Sequence, residues 1–278
     1  MTRVVMFSLD AAASVIAVLI VGGALWSACA PALHEPRPVG AIAPGRNHGR
    51  SAEDLLRDAD AAWLRRLESG QAAAAQDLYL DAAAADERRT DALLGAMRAM
   101  TFRIEREAGI AKDELASRAV DTGQWCQRRD PANIECDYRL AIALGQQARE
   151  KKSTARDALG KMVDLLHIAI AKSPDLESGG PHRVLAIILL RAPSWPIGPG
   201  DPEAGLAQAK AAVQRFPNAP DNQLVLAEAL AANDAREEAH AAYARALALA
   251  LAARTTEPVD APLWIKDAQA GVDRTASP

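Results

Sequence analysis

The feature that most restricts the fold is a succession of helix-length segments separated by helix-breaking residues. From Ser51 onward, turn signals such as Ser69-Gly70, Asp130-Pro131 and Pro174 interrupt stretches rich in alanine and leucine. Only 4% of the residues are aromatic, and alanine has the highest helix propensity and lets neighbouring helices approach closely. No segment alternates β-branched and polar residues as a half-buried strand does. We therefore predict an all-α fold.

The breaks between segments set the predicted helices. Ser51 and Asp54 have the spacing of a capping box, which marks the start of the first helix. The predicted helices cover 51–67, 71–86, 89–107, 111–128, 132–150, 153–172, 181–191, 202–216, 220–232, 234–253 and 261–270. The short turns between them indicate that consecutive helices are antiparallel neighbours.

One of these helices carries a repeat signature. In helix 234–253, Ala239, Tyr243 and Ala246 have the spacing A-x3-Y-x2-A, which is typical of the second helix of the tetratricopeptide repeat. Counting back 34 residues, the length of that repeat, gives a weaker copy at Gly205, Ala209 and Ala212, followed by Pro217. We predict stacked antiparallel helix pairs in a tetratricopeptide-repeat-like α-solenoid. A generic helical bundle is the alternative.

The N-terminus has the organisation of an export signal. Residues 11–26 form an uncharged apolar run after Arg3, followed by the small residues Ser27 and Ala28 and then by Cys29. This order resembles a bacterial lipoprotein signal, so we expect residues 1–28 to be a signal peptide and Cys29 to be lipidated. The alternative is a single membrane-spanning anchor, for which about 20 apolar residues are needed. Both place the rest of the chain on the periplasmic side of an envelope membrane, with the outer membrane preferred to the inner.

Composition divides the remainder into three parts. Residues 29–50 are rich in proline and glycine and lack helical periodicity, which is typical of a flexible tether. Residues 51–272 form the predicted helical repeat domain, and residues 273–278 are predicted to be a disordered tail.

The stretch 179–205 differs from an ordinary repeat. Val184 to Leu190 are apolar on every side of a helix, which predicts a central, enclosed helix. The proline- and glycine-rich loop from Ala192 to Gly200 follows, with Trp195 near its start. Trp195 either plugs the end of the core or edges a cavity or partner site, since a tryptophan usually buries its ring. The candidate binding or cavity-edge residues are His182, Arg183, Arg191, Trp195 and Pro196.

This stretch also carries a resemblance. PHRVL…LLRAPSWPIGPGDPEAGL followed by PNAPDNQLVLAEAL, residues 181–230, resembles the T-component (TatT-like) family of tripartite TRAP-type periplasmic transporters. The resemblance implies a periplasmic lipoprotein of degenerate tetratricopeptide repeats, often a homotrimer with a channel in each subunit. It also implies docking to the periplasmic solute-binding protein of a transporter, with an apolar solute as a possible ligand, and it supplies no catalytic motif.

Two cysteines lie on either side of a short predicted turn. Cys126 falls near the end of one predicted helix and Cys136 near the start of the next. Antiparallel helices bring such positions together, and an exported protein meets an oxidising compartment. The two residues form either a disulfide or a pair of packed free thiols.

Charge and polar residues limit the function classes. The net charge of −4 lacks the positive excess that nucleic-acid binding needs. The histidines are scattered, none at metal-ligand spacing, and no nucleophile elbow or phosphate loop occurs in the sequence, so we predict no metal, no cofactor and no enzymatic activity. The first hypothesis is a transport accessory and the second an envelope scaffold for protein–protein assembly. An envelope hydrolase comes last.

Overall fold

The computed structural model describes residues 31–46 and 49–276, and within these residues it is all-α, with twelve α-helices. The predicted signal peptide 1–28 and Cys29 lie outside the described residues. The helices are α1 (Val39–Ile42), α2 (Ala52–Leu64), α3 (Gln71–Ala85), α4 (Thr90–Arg106), α5 (Lys112–Arg129), α6 (Ile134–Glu150), α7 (Ala155–Lys172), α8 (Gly180–Arg191), α9 (Pro202–Arg215), α10 (Pro220–Ala232), α11 (Arg236–Ala252) and α12 (Ala261–Thr275).

From α2 onward the helices pack as consecutive pairs, so the prediction of stacked helix pairs is confirmed. Each helix lies against the next one along the chain. We call α2, α4, α6, α8, α10 and α12 the A helices and α3, α5, α7, α9 and α11 the B helices. Several A helices also contact each other, α4 with α6, α8 with α10 and α10 with α12. The A helices therefore line one side of the array.

Local sequence signals set the helix starts. The Ser51 hydroxyl accepts a hydrogen bond from the Asp54 amide at 3.1 Å, and the Asp201 carboxylate accepts one from the Ala204 amide at 3.0 Å. Both satisfy amides that the first helical turn leaves without a partner. Pro202 occupies the first turn of α9, where its missing N–H costs nothing.

The pairs are joined by aromatic rings packed against glycines. Tyr243 on α11 lies so close to Gly271 on α12 that a Cβ added at this glycine would be 2.2 Å from the ring. Tyr79 on α3 meets Gly95 on α4 in the same way, at 2.7 Å. In both cases the ring of a B helix packs on the A helix of the next pair, which needs a position without a side chain.

Tyr79 belongs to a second copy of the repeat signature that the sequence analysis missed. Ala75, Tyr79 and Ala82 have the same A-x3-Y-x2-A spacing as Ala239, Tyr243 and Ala246. All six side chains are buried. The two complete copies therefore lie near opposite ends of the array, with diverged pairs between them.

Helix α8 connects the two halves of the core. Leu185 and Ile188 belong to the large core formed with the preceding helices, and Ala186 belongs to a smaller core shared with Ala209 of α9 and Val225 of α10. No residue from 181 to 190 is exposed. The run Val184–Leu190 is apolar on every side because helices cover it on both sides, as predicted for an enclosed helix.

Residues 31–46 differ from the predicted flexible tether. Ala32, Val39 and Ile42 are buried in the large core, and Val39–Ile42 form the short helix α1 against α3 and α5. The proline and glycine content had predicted a flexible tether, but three buried apolar side chains at irregular spacing anchor this segment to the core. We call residues 31–46 the strap.

Polar contacts with the B helices hold the strap along its length. The Ala32 amide donates to Asp157 at 2.7 Å, and the Gly45 amide donates to Asp81 at 2.9 Å. Arg37 donates from Nε to the fully buried Asp121 at 2.6 Å. Since an unpaired buried carboxylate is costly, the strap completes the polar interior of α5.

The C-terminus also differs from the prediction. The predicted disordered tail began at residue 273, but α12 continues to Thr275. The Thr275 hydroxyl donates to the Gly271 carbonyl at 2.7 Å and lies 3.0 Å from His240 Nδ1. Thr275 is buried by these contacts, so the helix does not fray there. Residues 277 and 278 lie outside the described residues.

Cys126 and Cys136 form a disulfide across the turn between α5 and α6, with Cα atoms 5.4 Å apart. Both residues are fully buried. The bridge joins the end of one pair to the start of the next. In the described part of the chain, no helix is both long and apolar enough to cross a membrane; the apolar run 11–26 lies outside that part.

We predict that Gly95→Ala and Gly271→Ala each destabilise the fold by about 1–3 kcal/mol, because the added methyl group must displace a tyrosine ring. The matched control is Gly160→Ala in α7, where nothing lies within 4 Å of the added Cβ. This control should stabilise the fold by about 0.5–1 kcal/mol through helix propensity. Urea denaturation measures all three values. Equal effects at the three positions would contradict the packing described here.

Reduction of the disulfide should lower the free energy of unfolding by about 3 kcal/mol, because the bridge closes a short loop in the unfolded chain. The measurement compares urea denaturation of the oxidised protein with that of a Cys126→Ser/Cys136→Ser variant. A variant as stable as the oxidised protein would show that the bridge is absent or without effect.

Candidate binding groove

A groove of about 550 Å³ opens on the A-helix side of the C-terminal half. Three A helices, α8, α10 and α12, form its walls, and Tyr243 reaches it from α11. The lining residues are Arg183, Ile187, Arg191, Asp221, Leu224, Val225, Glu228, Tyr243, Leu263, Trp264, Asp267, Ala270 and Arg274.

The spacing of the lining residues follows from helix geometry. Arg183, Ile187 and Arg191 are four residues apart on α8, and Asp221, Leu224 and Glu228 are three and four apart on α10. Such positions lie one above the other on a single helix face. Each of the three A helices therefore presents one face to the groove, and this face carries both charged and apolar side chains.

Ion pairs across the α8–α10 boundary organise the groove wall. Arg191 makes a bidentate pair with Glu228, with both N–O distances 2.7 Å, and its side chain is 62% exposed. Arg183 lies 3.2 Å from Asp221, and its side chain is only 14% exposed. The first pair faces the groove opening and the second lies deeper.

The two arginines therefore have different roles. Arg183 also donates to the Asn222 side chain at 2.8 Å and to the Glu177 carbonyl at 3.3 Å. Asn222 is fully buried and in turn donates to the Ser178 carbonyl at 2.9 Å. Arg183 thus holds the turn before α8 against α10, and it is a structural residue. Arg191 has no such network behind it.

Charges in the groove balance. The lining includes three arginines, Arg183, Arg191 and Arg274, and three acids, Asp221, Glu228 and Asp267. Burial raises the pKa of Asp221 above its ordinary value, although Arg183 opposes this shift.

The opposite wall is aromatic and apolar. Trp264 and Leu263 lie in the first turn of α12, and the Leu263 side chain is 44% exposed. The Arg274 guanidinium lies 5.8 Å from the centre of the Tyr243 ring and donates to its hydroxyl at 3.5 Å. Apolar surface beside paired charges suits an extended polypeptide that presents both kinds of side chain.

The structure brings together only part of the predicted site. Arg183 and Arg191 line the groove, but His182 points to α9, where its Nδ1 lies 2.7 Å from Gln208 Oε1. Trp195 and Pro196 do not line the groove. The Trp195 side chain is 86% exposed, so it neither plugs the core nor edges this cavity.

Sequence reasoning missed the residues of α10 and α12, among them Asp221, Glu228 and Arg274. The sequence contained a usable signal, because alternate helices of a stacked array face the same side. Once helix 181–191 is assigned to the groove side, helices 220–232 and 261–270 are expected to face the groove as well. The missing step was to combine helix periodicity with the order of pairs.

A smaller cavity of about 290 Å³ lies among the first A helices. There the Tyr79 hydroxyl donates to Asp60 at 2.5 Å, and burial together with this contact raises the pKa of Tyr79 to about 12. Within residues 31–46 and 49–276, no three histidine, cysteine or acidic side chains are grouped as metal ligands would be.

The fold is similar to that of a known repeat protein. The chain matches the crystal structure of a thermophilic TPR (tetratricopeptide-repeat) protein from Thermus thermophilus with a TM-score of 0.58 and 20% identity, over 79% of this chain and 98% of that one. At this identity the likeness shows the fold alone, a TPR-like array of helix pairs. No protein-family model matches the chain, and no curated protein does.

We predict different costs for the two groove arginines. Arg183→Ala should destabilise the fold by about 2–4 kcal/mol, because the buried Asn222 side-chain oxygen loses its donor and Asp221 loses its ion pair. Arg191→Ala should cost less than about 1 kcal/mol, since its ion pair is largely exposed. Thermal and urea denaturation measure both. Equal costs would contradict the assignment of Arg183 as a structural residue and of the Arg191–Glu228 pair as an exposed feature of the groove.

Proposed function

We propose that this protein is a non-enzymatic scaffold that binds an extended segment of another protein in the groove between α8, α10 and α12. The observation that carries the proposal is the groove itself, in which ion-paired arginines of α8 lie opposite an α12 wall that includes Trp264 and the exposed Leu263. Repeat arrays of this fold offer such surfaces because stacking leaves one side of the A helices uncovered.

The proposed place of action is the periplasmic side of a bacterial envelope membrane. The apolar run 11–26, the small residues before Cys29 and the lipoprotein-like order of these elements support export and attachment through a lipid on Cys29.

A second candidate is an accessory subunit of a TRAP-type transporter. Its support is the resemblance of residues 181–230 to the T-component family, and this stretch contains α8, α9 and most of α10. In that case the groove partner is the periplasmic solute-binding protein, and the subunit assembles as a homotrimer. The two candidates differ in the partner and share the groove.

Site-specific photo-crosslinking in the native host tests the groove. A photoreactive residue at Leu263, which is 44% exposed in the groove, should give a defined adduct. The matched control is Ile168 on α7, which is 39% exposed and lies outside the groove. Arg191→Glu should abolish the adduct, because the new carboxylate repels Glu228 and disturbs the groove wall. The double exchange Arg191→Glu/Glu228→Arg should keep the ion pair and therefore the adduct.

Mass spectrometry of the adduct separates the candidates. A solute-binding protein in the adduct supports the transporter role, and another envelope protein supports the scaffold alone. Adducts of equal strength from Leu263 and Ile168, or none from Leu263, would contradict the proposed groove.

A further inference from the structure

The four most exposed large apolar side chains of the described residues lie in two turns. Trp195 is 86% exposed and Ile197 66%, both in the loop between α8 and α9. Leu64, the last residue of α2, is 79% exposed, and Leu67, in the turn that follows, is 62% exposed. Neither pair lines the groove. Exposure of this degree in a tryptophan and an isoleucine indicates a surface with a partner.

These two turns have the same position within their helix pairs. Each connects an A helix to the B helix of its own pair. The turns that connect a B helix to the next A helix cover 86–89, 130–133, 173–179, 216–219 and 253–260. None of the exposed large apolar residues lies within them, although Leu251 and Leu263, which are 46% and 44% exposed, flank the last one. We call the edge formed by the loop of Trp195 and Ile197 and by the neighbouring turn between α6 and α7 the apolar edge, since Arg156 at the start of α7 donates to the Pro196 carbonyl.

The chain enters the fold at the apolar edge. Pro31 lies in a cavity with Lys151 and Thr154 of the turn between α6 and α7, which is also an A-to-B turn. The Ala32 amide donates to Asp157 in the first turn of α7 at 2.7 Å. The neighbouring Arg156 donates to the Pro196 carbonyl at 3.0 Å. Consecutive residues of one helix thus hold the start of the strap and the loop of Trp195.

This entry point fixes where the membrane anchor attaches. Cys29 precedes Pro31 by two residues, and the apolar run 11–26 ends five residues before it. Two residues span at most about 7 Å. Since the strap is packed, the body has no long tether, and either a lipid on Cys29 or a retained apolar helix brings the bilayer to this edge.

The chemistry of the edge suits a bilayer surface. Tryptophan is enriched at the membrane interface, where its ring lies among the headgroups. Lys152 and Arg156 are exposed beside the strap's entry and complement anionic headgroups. The Trp195 loop has a defined shape, because the Gly200 amide donates to Pro193 at 2.9 Å.

We propose that the apolar edge rests on the membrane, with Trp195 and Ile197 inserted in the interfacial region of the leaflet that holds the N-terminal anchor. This inference rests on the proposed export and membrane attachment. It assigns a role to the exposed tryptophan that the groove does not explain. It also orients the array, so that the helix axes run away from the membrane surface.

Quenching by brominated phospholipids tests this contact. The full chain, purified from bacterial membranes, is reconstituted into vesicles of phosphatidylcholine and phosphatidylglycerol with and without bromine near the headgroup. With Trp26 of the apolar run replaced by phenylalanine in every variant, most of the quenching of tryptophan fluorescence should be lost in Trp195→Phe. The matched control is Trp264→Phe in the first turn of α12, which lines the groove and lies outside the Trp195 loop, and it should leave the quenching unchanged. Both variants should keep the wild-type thermal midpoint.

Three results would overturn the inference. A membrane-bound protein whose quenching is the same with and without Trp195 rejects the contact but leaves the anchor intact. If Trp195 is instead shielded in an oligomer in detergent, the edge is an interface between copies of the chain. A full chain that does not fractionate with membranes rejects the anchor and the contact together.

Discussion

No helix of this array covers its own apolar surface, and the structure depends on each pair being closed by its neighbours. Helix α8 shows the constraint most clearly, since Leu185 packs into one core and Ala186 into another. A helix that is apolar on every side is stable in water only between two layers. The same requirement explains the tyrosine rings seated on Gly95 and Gly271, where the absence of a side chain lets the next pair approach.

Most helices were predictable because proline, glycine and aspartate punctuate the sequence and act locally. The end of α8 at Arg191 and the start of α9 at Pro202 follow directly from such signals. The strap was not predictable in this way. Its Val39 and Ile42 are buried by contacts with helices far along the chain, and composition reports only the local tendency of proline and glycine to prevent regular structure.

Only the part of the candidate site that depends on local sequence signals could be predicted. Arg183 and Arg191 could be assigned because they flank an unusual apolar run, but their partners Asp221 and Glu228 lie on another helix and look like ordinary surface acids in the sequence. Trp195 was predicted either to plug the end of the core or to edge a cavity or partner site, because a tryptophan usually buries its ring. Its loop instead projects from the array, and the contact of Arg156 with Pro196 holds it beside the strap. The two proposals assign the groove to a protein partner and the apolar edge to a membrane surface.

The most direct test of the central claim is native-state hydrogen exchange at the amides of α8. If α8 is held between two layers, the amides from Leu185 to Ile188 should exchange only by global unfolding and should be among the most protected of the chain. The amides of α12, which has a neighbour on one side only, should open at lower free energy. Exchange in α8 as fast as in α12 would contradict the stacked arrangement on which the account depends.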